Sequence, residues 1–148
     1  MTTPVKVPTV AARLGYAGLI PFVVLSVSLW FAGQSLRDPA LQALLLYAAI
    51  ILSFMGAIHW GVGMSKAEVA STRLLVFSVI PPLIAWFAAF LPTLVQISVL
   101  YLAFAGLCVF DSREARAGHL PKWYPRLRVP LTVVVVASLI NAQLALAL

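Results

Sequence analysis

Charge is the commodity this chain has least of. Ten Lys or Arg and four Asp or Glu are all it carries, 9% of 148 residues, against 63% hydrophobic residues and a mean hydropathy of +1.05. A soluble domain has about 25% charged residues, so a water-soluble fold is excluded. Cysteine is nearly absent too: Cys108 is alone, which rules out an intrachain disulfide and reads as a small core residue in an apolar run. Only two histidines occur, His59 and His119. The chain has no Walker sequence, no CxxC, no HExxH and no Gly-x-Ser-x-Gly elbow. Without those arrangements neither a metal centre nor a catalytic residue is expected, and the sequence points away from an enzyme.

What is present is long apolar stretches. A helix needs roughly 20 mainly apolar residues to cross a bilayer, and five stretches qualify: 14–34, 41–64, 74–91, 94–110 and 129–147. The expected fold is therefore all-α, five transmembrane helices in one compact bundle (residues 14–148). A tail, 1–13, precedes it, and the loop 111–128 is the longest connection. Asp38-Pro39 and Val129-Pro130 are expected to open the second and fifth spans, Ser71 or Thr72 to cap the third, and Leu91-Pro92-Thr93-Leu94 to form a hairpin. A cleaved signal peptide competes for the first span, with Lys6 and Arg13 as its basic region, but the apolar run is long for that and contains Pro21.

The few charges are unevenly placed. Lys6, Arg13, Lys66, Arg73, Arg113, Arg116, Lys122, Arg126 and Arg128 fall on one side of a five-span arrangement, and Arg37 alone on the other. The excess of Lys and Arg in short loops marks the cytoplasmic side. This places the N-terminus in the cytoplasm and the C-terminus in the periplasm of a bacterial inner membrane. The pI near 10.1 thus reflects topology and attraction to anionic lipid at the loop 111–128; nucleic acid is not an expected partner, and a membrane-protein partner is.

Two small-residue strips run along the second span: Ala49, Ser53, Ala57 and Gly61, and Gly56, His59 and Gly63. Such strips let helices approach closely, and two of them predict a central helix. His59 is the chemically distinctive residue. An ionisable group inside a span faces protein or a water cavity, and a neutral imidazole has one donor and one acceptor to satisfy. Pro21, Pro81 and Pro82 lie at similar depth and are expected to kink their helices, freeing the carbonyls of Ala17 and Phe77 for the histidine or a ligand. Asp111 closes the fourth span, where the helix dipole disfavours a carboxylate; Arg113, Arg128 or His59 are its candidate partners, with Nδ1–H of the imidazole as donor. Trp123 and Tyr124 suit the headgroup level, and the prolines around them imply a fixed shape that a partner can dock on. His59, Asp111, Trp123, Tyr124, Arg128 and Thr132 are therefore the candidate ligand- or partner-binding residues.

Leu52-Ser53-Phe54-Met55-Gly56 and Leu102-Ala103-Phe104-Ala105-Gly106 look alike, and Pro21 and Pro81 sit seven residues into their spans. A duplicated helical hairpin would produce this, as in transporters built from parallel repeats.

The residues LGYAGLIPF (14–22), the run 52–61 with its Ala-Ile-His-Trp-Gly end, Ile80-Pro81 followed by Trp86, Asp111, and P-x-WY-x-x-LR-x-x-LT (121–132) resemble the transmembrane-protein-69-like family. That resemblance implies a small bacterial or mitochondrial inner-membrane protein with a domain of unknown function, and brings no catalytic residues with it. The first functional expectation is a non-enzymatic protein that binds a partner, lipid or apolar ligand from the cytoplasmic side, without a resident cofactor. The alternatives are a quinone- or haem-linked redox component using His59, and a small transporter built on the repeated hairpin.

Overall fold

The computed structural model describes residues 6–65 and 69–148, with no account of the side chains of residues 69–71; Lys66 and the Ser71 side chain therefore lie outside the described residues. Every regular element is a helix: α1 (Thr9–Ala17), α2 (Ile20–Phe31), α3 (Gln34–Ser65), α4 (Val69–Ser78), α5 (Ile80–Ala88), α6 (Thr93–Arg116) and α7 (Tyr124–Ala147). Four stretches are long and apolar enough to span a membrane: 9–31, 34–65, 93–116 and 124–147. The fifth, 72–88, is shorter. Of the five expected spans, four are long enough to cross a membrane and the third in chain order is a shorter apolar stretch.

The first and third spans are interrupted where proline denies a backbone donor. α1 gives way to α2 across Gly18-Leu19, with Pro21 in the first turn of α2, and α4 gives way to α5 at Val79, with Pro81 and Pro82 following. Each break orphans carbonyls. Beside the first break the Gly18 carbonyl accepts from the Tyr47 hydroxyl of α3 at 2.9 Å. The expected acceptors for the histidine, the Ala17 and Phe77 carbonyls, do not take it, since Nε2 of His59 pairs with Asp111 and Nδ1 has no partner. At the second break the chain needs a close neighbour without a side chain. A Cβ on Gly56 would stand 2.8 Å from the Ser78 carbonyl oxygen and 3.0 Å from the Pro81 ring.

Several helix boundaries differ from the sequence-based expectation. α1 begins at Thr9, within the expected tail 1–13, and α4 at Val69, so Ser71 and Thr72 lie inside the helix and do not cap the third span. α3 begins before Pro39, because the Gly33 carbonyl accepts from the amides of Leu36 and Arg37 and closes a first turn upstream. Arg37 Nη2 then donates to the Ala145 carbonyl at the far end of α7. α7 likewise opens at Tyr124 with Pro125 in its first turn, leaving Pro130 inside the helix. The largest difference is in 111–128: α6 runs on to Arg116, so the connection is only 117–123. Nothing in Asp-Ser-Arg-Glu-Ala-Arg breaks a helix. It ends at Gly118, whose φ of 80° glycine accommodates readily, with His119 N–H bonded to the Glu114 carbonyl and Gly118 N–H to that of Ala115.

α3 packs against α2, α4, α5 and α6, while α7 closes the bundle against α1, α2 and α6. The core runs through Phe22, Leu52, Leu100, Phe104 and Leu139, with Phe22 edge-on to Phe104 at 6.0 Å between ring centres. The outside is apolar as well, with Phe31, Phe54, Phe87 and Phe90 among the exposed side chains, as lipid-facing surfaces are. Of the two strips on α3, Gly56, His59 and Gly63 are buried, whereas Ala57 and Gly61 are exposed. The expectation that both strips pack inside the bundle is therefore corrected in part: α3 is central, but the second strip packs inside only at its start, with Ala49 half-buried against the core and Ala57 and Gly61 turned outward. The suggested repeat is also uneven, since a Cβ on Gly106 would meet nothing within 4 Å.

Gly56→Ala is expected to destabilise the protein by about 1–3 kcal/mol, the usual range for overpacking, because backbone rather than a flexible side chain stands in the way. Gly61→Ala should leave stability unchanged. Unfolding in detergent micelles checks both, and equal effects would refute the packing assignment.

Candidate functional site

Where α3, α6 and α7 meet at the end of the bundle carrying residues 59, 111 and 128, three side chains of opposing chemistry are enclosed. His59 and Asp111 are fully buried and Arg128 is 3% exposed. His59 Nε2 lies 2.8 Å from Asp111 Oδ1, and Arg128 Nε donates to Asp111 Oδ2 at 2.8 Å. Tyr124 adds a long contact, its hydroxyl 3.5 Å from the same Oδ2. Since a carboxylate only accepts, Nε2 of His59 carries the proton it shares with Asp111. The donor to the carboxylate is therefore Nε2 and not the expected Nδ1, which is buried without a partner.

Helical spacing explains the convergence. Tyr124, Arg128 and Thr132 recur every four residues on one face of α7, and that face meets the face of α6 bearing Asp111. Thr132 is 5% exposed and its hydroxyl has no partner, nor does Nη2 of Arg128. The imidazole is edge-on to two rings, Phe77 at 5.5 Å and Phe110 at 5.1 Å, which stack on each other. Phe77 sits next to Ser78, so the proline break in the third span delivers it beside the histidine.

One turn further along α6 is a second buried carboxylate. Glu114 is 1% exposed, bonded to His119 Nδ1 at 2.7 Å and to Arg73 Nη2. Arg73 also lies 5.8 Å from the Phe110 ring centre. Asp111 and Glu114 thus occupy one face of α6 at i and i+3, each holding one histidine and one arginine. Four segments are tied by them: α3 and α7 through Asp111, α4 and the 117–123 turn through Glu114.

Of the six candidate binding residues, the structure brings His59, Asp111, Arg128 and Tyr124 together and sets Thr132 one turn beyond. It does not bring Trp123 there; that ring is half-buried ahead of α7, against Tyr124 at 6.0 Å. Arg113, a candidate partner for Asp111, is exposed and turned away. Sequence reasoning missed Glu114 and Arg73 as site residues. The readable signal was the spacing of Asp111 and Glu114, hidden by assigning both to a loop. Among the described residues no group of three or more His, Cys, Asp or Glu side chains is arranged to hold a metal.

A polytopic helical membrane protein with a buried ion-pair cluster at one end is the class these features define. The chain belongs to the family described as protein of unknown function DUF3429, whose model matches residues 7–144. It is 34% identical over 138 residues to Transmembrane protein 69 of Xenopus tropicalis, covering 91% of this chain and 54% of that protein. The chain therefore spans about half the length of that curated relative. No solved structure matches it.

Asp111→Asn should cost about 3–5 kcal/mol, since it strands the buried Arg128 charge. Glu114→Gln should cost less, about 1 kcal/mol, because Arg73 is 64% exposed and its charge can return to water. Unfolding of both variants in mixed micelles makes the comparison, and an equal loss would contradict the assigned roles.

Proposed function

We propose that this is a non-enzymatic integral inner-membrane protein that binds a partner, lipid or apolar ligand at a cytoplasmic end formed by the α6–α7 turn. One observation carries the reading. Both described carboxylates at that end, Asp111 and Glu114, are buried and saturated, while Lys6, Arg13, Arg113, Arg116 and Lys122 are exposed. The described surface there is consequently cationic, with Trp123 half-buried among it. Cation excess in short connections supports a cytoplasmic placement, and cations beside an interfacial aromatic support contact with anionic lipid or an acidic partner. The buried cluster serves this role indirectly by holding the turn in one shape. It has no opening of its own: His59 and Asp111 are wholly enclosed, which favours binding on the surface they organise over chemistry at the imidazole.

A membrane-impermeant, thiol-directed photo-cross-linker on Lys122→Cys tests both parts, with the parent chain as background. Labelling from the cytoplasmic face only, and a discrete adduct that Trp123→Ala diminishes without affecting insertion, are the expected results. Labelling from the outer face, or no adduct above background, would overturn the proposal.

A further inference from the structure

Two apolar grooves run along α6, one on each side, and converge on a single cation. The larger, about 780 Å³, lies between α6 and α7 and is bordered by Ala105, Val109, Val136 and Ile140, with Arg113 and Arg116 at its mouth. The smaller, about 400 Å³, lies between α5 and α6, bordered by Ile84, Leu102 and Gly106. Val109 and Arg113 line both. At ~1.5 Å per residue, the α6 walls extend about 12 Å from Arg113 to Ala105 in one groove and about 16 Å from Arg113 to Leu102 in the other. Those are acyl-chain dimensions, and both grooves open outward on helices that face lipid.

Two cations sit where a headgroup would be. Arg113 and Arg116 are exposed and have no ion-pair partner among the described residues, because the carboxylates on α6 face inward. The empty space at Gly106 keeps the smaller groove clear.

We propose that α6 is straddled by one diacyl phospholipid, its phosphate on Arg113 and Arg116 and one acyl chain in each groove. Charge complementarity selects an anionic headgroup: two unpaired guanidiniums meet a phosphate, and a zwitterionic lipid brings a compensating cation with it. The two grooves select two chains. The inference deepens the proposed binding role and rests on the same cationic end, but it concerns the grooves of α6 and not the surface around Trp123.

Native mass spectrometry of the full chain from mild detergent supplies the test, with three probes: palmitoyl-oleoyl phosphatidylglycerol, palmitoyl-oleoyl phosphatidylcholine and single-chain lysophosphatidylglycerol. The expected result is one retained diacyl phosphatidylglycerol per chain, in preference to both other lipids. Arg113→Gln should lower retention about fivefold, corresponding to the ~1 kcal/mol a cation contributes beside anionic lipid. Gly106→Phe, which fills the smaller groove without touching the fold, should reduce diacyl retention to the lysolipid level. Arg13→Gln, which removes a charge of the same end outside the grooves, should change nothing. Equal retention of all three probes, insensitivity to Arg113→Gln and Gly106→Phe, or a lipid-free dimer with a second copy in the groove would each overturn the proposal. Loss of the Lys122→Cys adduct with lipid retention intact would instead sink the partner-binding reading alone.

Discussion

A carboxylate enclosed by apolar helices costs several kcal/mol in lost hydration, and the bundle is arranged around meeting that cost twice on one helix. Asp111 is met by His59 and Arg128, Glu114 by His119 and Arg73. None of these partners is local in the helical sense, so each bond fixes a different segment against α6. The consequence extends outward. With both carboxylates turned inside, Arg113 and Arg116 on the same helix have no acidic partner among the described residues, and the cationic character of the described surface follows from how the interior is satisfied.

The proline breaks serve the same end of the molecule. The break at Val79 lets α5 lean on Gly56 and brings Phe77 against the histidine, where it stacks with Phe110. Removing that aromatic cover would expose the His59–Asp111 bond to water, in which a paired charge is worth much less. In the other half of the bundle, Arg37 on the Ala145 carbonyl is joined by neutral groups. Asn141 accepts from Trp30 and donates to the Ser26 carbonyl, and Gln143 donates to the Leu94 carbonyl and to Ser98. The described ion pairs all lie at one end, whereas amides and a single guanidinium tie the other.

Much of this was legible from residue types and depth. His59, Asp111 and Arg128 could be placed at one level because each lies a countable distance from the end of an apolar run, and the helical character and punctuation at Leu91-Pro92 followed from hydropathy and breakers. Glu114 was not legible, because charge was taken to end the helix; a charged residue can continue one when partners from other helices neutralise it. Nor could the sequence say which strip of α3 would be buried. Gly56 and Gly61 are alike as letters, and only the position of the bent third span decides that one of them touches backbone while the other faces outward. The helix starts at Gln34 and Tyr124 were missed for a related reason: proline several residues inside a helix is tolerated when an earlier turn is already closed.

The central claim is that Asp111 is held between a protonated Nε2 of His59 and the Arg128 guanidinium, out of contact with water. Nuclear magnetic resonance of the ¹⁵N-histidine-labelled protein in lipid nanodiscs reads this directly, since the chain has only two histidines. The account predicts a His59 signal with the proton on Nε2, slow solvent exchange and a resonance displaced in Asp111→Asn. It also predicts a His119 signal with the proton on Nδ1 and faster exchange, in keeping with its partial exposure. A His59 ring that exchanges rapidly, or that carries no proton on Nε2, would contradict it.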